Sequence, residues 1–367
     1  MKKLKIALTG GPCAGKTTAL ETIEEEFVEK GYQVLIVPEA ATILINSGIK
    51  PFGNDSIDMF EFQRYVLDLQ FSLENMAEKV ANTSNKATII VCDRGLMDSK
   101  AYVTEAEFQQ LLAEREMSEN DVLERYDLAI HLRSAAFGKE EFYNLENKAR
   151  TENIKQAREK DISTLNAWFL HNNLKIIGND TDFETKIAKC LNEIYKNVSN
   201  NDTIQSQGKY LVEEVNLPKL QELNPITLKI EQYVIVDGEQ EKLYRKSSKE
   251  DHSSYSLIIK ENTDSSIRRT VKRKRISKEE YLTNMPIDCN PLRKTRCCFE
   301  FLDQYIKLDI FENGLFLLEI DDYDPNNQPH RIPTFITTSD DVSDNPNYRN
   351  SSLYFEQNKP AKQFKKK

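Results

Sequence analysis

Apolar residues in the first half of the chain gather in short runs: Ile6-Ala7-Leu8, Gln33 to Val37, Ala87 to Val91, Leu128 to Leu132 and Leu174 to Ile177. Such runs predict strands buried on both faces. Between them apolar positions recur at helical spacing, as in Thr17 to Lys30 and Met59 to Val80. Strands alternating with helices predict an α/β domain with a parallel sheet, placed at residues 1–197. From Lys196 to Gly208 the chain turns polar, Asn- and Ser-rich and aperiodic, so residues 198–208 are expected to be a linker. Beyond it the pattern is strand-like: Lys209 to Val212, Leu228 to Val236, Lys242 to Arg245, Ser256 to Lys260, Thr295 to Leu302, Tyr305 to Phe311 and Leu315 to Ile320. Asp237-Gly238 and Asn313-Gly314 between apolar runs signal hairpin turns. Residues 209–356 therefore read as a mainly antiparallel β domain with one helix around Ser277 to Leu282, and 357–367 as a basic tail.

The 39% hydrophobic content, with 15 Tyr and 17 Phe among 367 residues, supplies two cores and excludes global disorder. No apolar run approaches the roughly 18–20 residues of a membrane span, and Met1 to Ile6 does not have the pattern of a signal peptide. The six cysteines form no C-x-x-C pair and read as reduced thiols of a cytoplasmic protein. A net charge of −9 argues against nucleic acid as a partner.

Gly10-Gly11-Pro12-Cys13-Ala14-Gly15-Lys16-Thr17 matches G-x-x-x-x-G-K-[ST], with a predicted strand leading in and a predicted helix leading out. Glycines let backbone N–H groups converge on phosphates, and the helix N-terminus adds positive potential. The expected nucleotide-binding set is Gly10, Pro12, Cys13, Ala14, Gly15, Lys16, Thr17 and Thr18, for GTP or ATP. Lys16 reaches the outer phosphates, and Thr17 places a hydroxyl on Mg²⁺. Asp93 closes the third apolar run, where such sheets face their ligand, and is expected to hold Mg²⁺ with Thr17, directly or through water. Arg94 is placed to meet phosphate, while Asp98 reads as a helix cap. Glu39 follows the second run and is expected near the terminal phosphate, as a general base or to orient water or metal. Arg150 and Arg158, eight residues apart, are expected on one helix face as a lid supplying a catalytic arginine. Asn179 and Asp180 are candidates to border the base, and no N-K-x-D string supports guanine specificity of the small-GTPase kind. His131 reads as a core histidine, Trp168 as packing, and Gln63 and Arg64 as speculative substrate contacts.

Leu8 to Thr18, Pro38-Glu39-Ala40-Ala41, Cys92-Asp93-Arg94-Gly95 and Asn147-Lys148-Ala149-Arg150 together resemble the kinase-like P-loop ATPase/GTPase domain of the TRPL translocation defect protein family. That family joins it to a C-terminal CYTH, or triphosphate-tunnel, domain, so the resemblance covers nearly the whole chain. It implies an α/β P-loop NTPase domain with a parallel sheet followed by an antiparallel β-barrel. It also implies nucleotide binding, phospholipid recognition and a role in membrane-protein trafficking. Tunnel enzymes begin with E-x-E-x-K, whereas the matching segment here is Gln205-Ser206-Gln207-Gly208-Lys209, with amides in place of the metal-binding acids. The resemblance places Lys209, Arg245, Lys260, Arg269, Lys294, Arg296, Glu319 and Asp321 in the tunnel's anion site. Arg268 to Arg275 has six basic residues in eight; as a strand it makes the lumen base-rich and acid-depleted. Such a cavity suits an anionic head group, phosphatidic acid or a phosphoinositide, with peripheral membrane contact. The alternatives are an NTP-dependent small-molecule kinase and an inorganic triphosphatase.

Overall fold

The computed structural model describes residues 3–142, 153–171, 173–179, 181–199, 203–223, 225–237, 240–249, 252–261, 268–288, 290–302, 304–321 and 331–358. They form two units, Met1–Ser199 and Asn200–Lys367. In the first, strands β1 (Lys3–Gly10), β2 (Gln33–Val37), β3 (Thr88–Asp93), β4 (Leu128–Leu132) and β5 (Leu174–Ile177) make a parallel sheet in the order β2-β3-β1-β4-β5. Helices α1 (Lys16–Glu29), α2 (Ala40–Asn46), α3 (Met59–Thr83), α4 (Glu105–Ala113), α5 (Glu119–Leu123), α6 (Ile154–Trp168) and α7 (Phe183–Ser199) connect or follow the strands. Helices on both faces explain why β1, β3 and β4 read as continuous apolar runs: Ile6, Leu8, Ile90, Val91, Leu128 and Ile130 are all buried. α1 turns Ala19, Ile23 and Phe27 inward at helical spacing, and α7 adds Ile187, Cys190, Ile194 and Val198 to the same core.

The second unit contains β6 (Thr203–Val215), β7 (Ile226–Asp237), β8 (Gln240–Lys249), β9 (His252–Glu261), β10 (Arg268–Arg275), β11 (Leu292–Phe301), β12 (Gln304–Phe311), β13 (Phe316–Asp321) and β14 (Ile336–Asp341). They run in the order β10-β9-β8-β7-β11-β12-β13-β6-β14, and β10 also pairs with the start of β6. That pairing closes β6 to β13 into an antiparallel barrel, with β14 added along the later part of β6. Closure pairs each of β6 to β13 with a neighbour on both sides over at least part of its length. The basic segment Arg268–Arg275 is therefore a strand. Short helices α8 (Leu217–Glu222), α9 (Lys278–Thr283) and α10 (Asn350–Gln357) complete the unit. Both hairpin signals hold: Asp237 pairs with Gln240 across two residues, and Gly314 takes φ +84 in the turn between β12 and β13.

Residues 198–208 are not a linker throughout: α7 runs to Ser199 and β6 begins at Thr203. Pairing of β6 with β10 and β13 uses backbone groups, which do not depend on apolar side chains, so the polar composition concealed a strand. Among the described residues no helix is long and apolar enough to cross a membrane.

Candidate functional site

Gly10 ends β1 with φ +148, and a Cβ there would lie 2.2 Å from the Leu132 carbonyl oxygen. The chain turns again through Cys13 at φ 54 and Gly15 at φ +87. Positive-φ residues in this loop curl successive N–H groups inward, the geometry of an anion nest. Lys16 folds back across the loop, donating to the Gly10 and Gly11 carbonyls at 3.3 Å. Burial pushes its pKa down, and the nearby Arg94 charge adds to the shift. Thr17 and Thr18, in the first turn of α1, are exposed.

Asp93 is the last residue of β3, in register with Leu8 of the adjacent β1. Its Oδ1 is buried without a hydrogen-bond partner, and burial raises its pKa against the pull of Lys16. A bound cation would relieve both conditions. Arg94 stands in the left-handed region at φ 68, its N–H donating to the Leu8 carbonyl at 3.0 Å. Its guanidinium pairs with Glu39 and reaches Asp98 and the Gly10 carbonyl, each at 3.2 Å. Thr42 donates a further hydrogen bond to Glu39 at 2.6 Å. Burial alone would raise the Glu39 pKa, but the charges of Arg94 and Lys16 and these hydrogen bonds bring it down to about 2. A carboxylate so stabilised is a weak general base; Glu39 is placed instead to hold Arg94 beside the loop. Asp98 does cap its turn, through the Gly95 N–H at 3.0 Å, and it also accepts from Thr9, Arg94 and the Trp168 indole. Trp168 is thus packed inside, as expected, and a Cβ on Gly95 would meet its ring at 2.6 Å.

The loop's other support escaped the sequence reading. Asp161 of α6 is fully buried, and its Oδ1 accepts the N–H groups of Gly11 and Ser134, each at 2.9 Å. Its Oδ2 accepts from Arg133 at 2.6 Å, and buried His131 stands 3.3 Å from Oδ1. Burial would raise the Asp161 pKa, but His131, Arg133 and the Gly11 amide hold it at about 2. The available signal was an acid on the inward stripe Ala157, Asp161, Thr164, Leu165, Trp168, where every other member is apolar or small.

Other candidates are engaged elsewhere. Arg158 donates to the Ala136 carbonyl at 2.6 Å and pairs with Glu140 at 2.5 Å. Arg150 lies outside the described residues, and α6, which carries Arg158, begins at Ile154. Asn179 does not offer its side chain to a base: the amide donates to the Ser134 and Phe137 carbonyls and accepts from Lys186. Asp180 lies outside the described residues. Arg64 pairs with Glu61 and Glu114, and Gln63 is buried.

In the barrel, register places Lys209 opposite Glu319, Glu319 opposite Lys307, and Asp309 opposite Arg296. Gln232 faces Arg245, and Arg245 faces Ser256. Alternation therefore puts these residues on one face, the lumen. Lys294 reaches Asp309 at 2.5 Å and Asn350 of α10 at 3.1 Å. Arg296 grips Asp309 through two bonds at 2.6 and 2.7 Å and reaches Glu319 at 2.7 Å. Lys209 pairs with Glu319 at 3.2 Å. Burial lowers Lys294 to about 8 against the pull of Asp309, while Lys209 and Arg296 hold Glu319 well below the carboxylate range despite its burial. The expectation of an acid-depleted lumen is corrected by Asp309, an acid in the apolar run Ile306 to Phe311 on the same strand face as Lys307. Lys260 is half-buried on β9, and the Gln232 amide is buried without a hydrogen-bond partner. The side chains of Arg269 and Asp321 lie outside the described residues, as do those of Gln205 and Gln207.

Among the described residues no group of three or more His, Cys, Asp or Glu forms a metal cage. Mg²⁺ does not require one: it takes one or two protein ligands together with phosphate and water. The orphaned Asp93 Oδ1 and the exposed Thr17 hydroxyl fit that donor set.

Residues 5–186 match the family model described as an AAA domain. The thymidylate kinase of Oceanobacillus iheyensis is 29% identical over 104 residues, which are 28% of this chain and 46% of that protein. The chain thus spans less than half the length of this curated relative. Among solved structures, an inorganic triphosphatase aligns with 18% identity and a TM-score of 0.28, over 41% of this chain and 96% of its own. A hypothetical protein aligns with 17% identity and a TM-score of 0.27, over 41% of this chain and 97% of its own. At those scores the likeness says nothing about activity.

Proposed function

We propose that the first unit binds a Mg²⁺–nucleoside triphosphate, ATP or GTP, and passes its terminal phosphoryl group to a small acceptor. The observation that carries this reading is the orphaned Asp93 carboxylate oxygen beside a glycine-rich loop whose Lys16 and Thr17 stand at its open end. The loop's amides and the start of α1 bind the phosphates. Lys16 takes the outer phosphates, and Thr17 and Asp93 hold the cation. When bound, Mg²⁺ neutralises phosphate charge during transfer. Arg94, aimed by Glu39 and Asp98, supplies fixed positive charge where negative charge develops. Similarity to a thymidylate kinase favours phosphotransfer over simple hydrolysis. Incubation with labelled ATP or GTP and a panel of hydroxyl-bearing metabolites tests it. Label moves to an acceptor in the wild type and not in Lys16→Ala; release of inorganic phosphate alone contradicts the kinase reading.

The lumen supports a second activity, the binding of a phosphate-bearing anion, because Lys209, Arg245 and Lys307 stand by the Lys294–Arg296–Asp309–Glu319 core. The resemblance to the TRPL translocation defect family directs that anion toward phosphatidic acid or a phosphoinositide, with a role in membrane-protein trafficking. Flotation with vesicles carrying either lipid tests this, and equal recovery with neutral vesicles contradicts it. Rapid Mg²⁺-dependent cleavage of tripolyphosphate would instead favour a triphosphatase.

A further inference from the structure

Phe183, the first residue of α7, is 47% exposed, yet its ring covers a defined partner. A Cβ built on Gly15 would lie 2.5 Å from ring atom Cε2 and 2.9 Å from Cζ. The aromatic ring thus extends the surface of the phosphate loop itself. Sheet order fixes which side of the loop this is. Asp93 and Arg94 stand at the end of β3, on one side of β1, whereas Phe183 follows β5, beyond β4 on the other. For a triphosphate whose reacting end meets Lys16, Asp93 and Arg94, Phe183 thus lies on the far side of the loop, where sugar and base can extend.

Groups in that connection divide sharply. The Asn179 amide is spent on Ser134, Phe137 and Lys186. Asp182 caps α7 by accepting from the Thr185 N–H and hydroxyl, each at 2.8 Å. The Thr181 hydroxyl oxygen, by contrast, is buried and meets no hydrogen-bond partner. A half-open aromatic face and an unsatisfied hydroxyl two residues away are what a planar, hydrogen-bonding heterocycle would fill.

Resting on the nucleotide reading above, we propose that Phe183 is the base platform of the nucleotide site, with Thr181 a polar contact to the base or sugar. Stacking recognises any base by its π face, so Phe183 supplies affinity rather than a choice between adenine and guanine.

The test is displacement of a fluorescent ATP analogue from the full-length protein, in Mg²⁺, by ATP and separately by inorganic triphosphate. Only the analogue signal that Lys16→Ala abolishes is scored, so analogue or anions held in the barrel do not register. Phe183→Leu keeps an apolar cover on Gly15 but removes the π face; Phe183→Tyr restores it. For Phe183→Leu we expect ATP to displace about 10-fold more weakly, inorganic triphosphate to displace as in the wild type, and Phe183→Tyr to recover ATP. Equal weakening of both competitors would overturn the proposal, since the ring would then only shape the loop; so would no change in either. Failure of the wild type to bind the analogue in a Lys16-dependent way would overturn the nucleotide reading itself, and this proposal with it.

Discussion

Both backbone amides that meet Asp161 bind the same oxygen, Oδ1, while Arg133 takes Oδ2. Asp161→Asn can therefore keep the Gly11 and Ser134 bonds while losing the charge and the acceptor that face Arg133. Asp161→Ala loses everything and buries two amides unsatisfied, each costing about 1–3 kcal/mol. We expect both variants to be destabilised, and Ala by at least about 2 kcal/mol more than Asn in urea titration; equal losses would refute the clamp. Glu39 makes a pH prediction. Its folded pKa of about 2 lies below the ordinary 4.5, so its stabilisation is complete above 4.5 and is lost as pH falls through about 2. Glu39→Gln should cost on the order of 2 kcal/mol at neutral pH and flatten the loss between pH 4.5 and 2, as read from denaturation midpoints. The sequence exposed Lys16, Thr17, Asp93 and Glu39 because their motifs sit at strand ends. It did not expose the Glu39–Arg94 pair or the Asp161 clamp, since those contacts join residues 55 and 150 positions apart.

At the scale of elements, the strands of the first unit were legible because burial on both faces writes short, mainly apolar runs. The barrel was legible through its hairpin turns, but the inward face was not fully so. Charged lumen residues resemble solvent-facing ones until register shows which of them oppose one another. Asp309 pairs with Lys294 and Arg296 from the neighbouring β11, so β11 and β12 are joined by a buried charge ladder as well as by backbone bonds. A double-mutant cycle on Arg296→Met and Asp309→Leu should return a coupling energy of about 1–3 kcal/mol. Each single change strands a buried charge, whereas the pair removes two together. Additive losses would mean the ladder contributes no specific stabilisation.

For the whole molecule, the function proposed above gives each unit an oxyanion site built on different physics. One uses main-chain amides at a helix start; the other uses cationic side chains inside a closed sheet. Hydrogen exchange should separate them. Mg²⁺–nucleotide is expected to protect amides of Gly10 to Thr18 and leave β11 to β13 unchanged, and protection confined to the barrel would reverse that assignment. That the Gly10–Thr17 loop is a magnesium-dependent nucleotide site is tested by calorimetric titration of the wild type, Lys16→Ala and Asp93→Asn with ATP and GTP, with and without Mg²⁺. Saturable binding that needs Mg²⁺ and weakens at least about 10-fold in both variants is the predicted result, a loss of about 1.4 kcal/mol or more. Affinity that is the same in all three proteins, or indifferent to Mg²⁺, would contradict it.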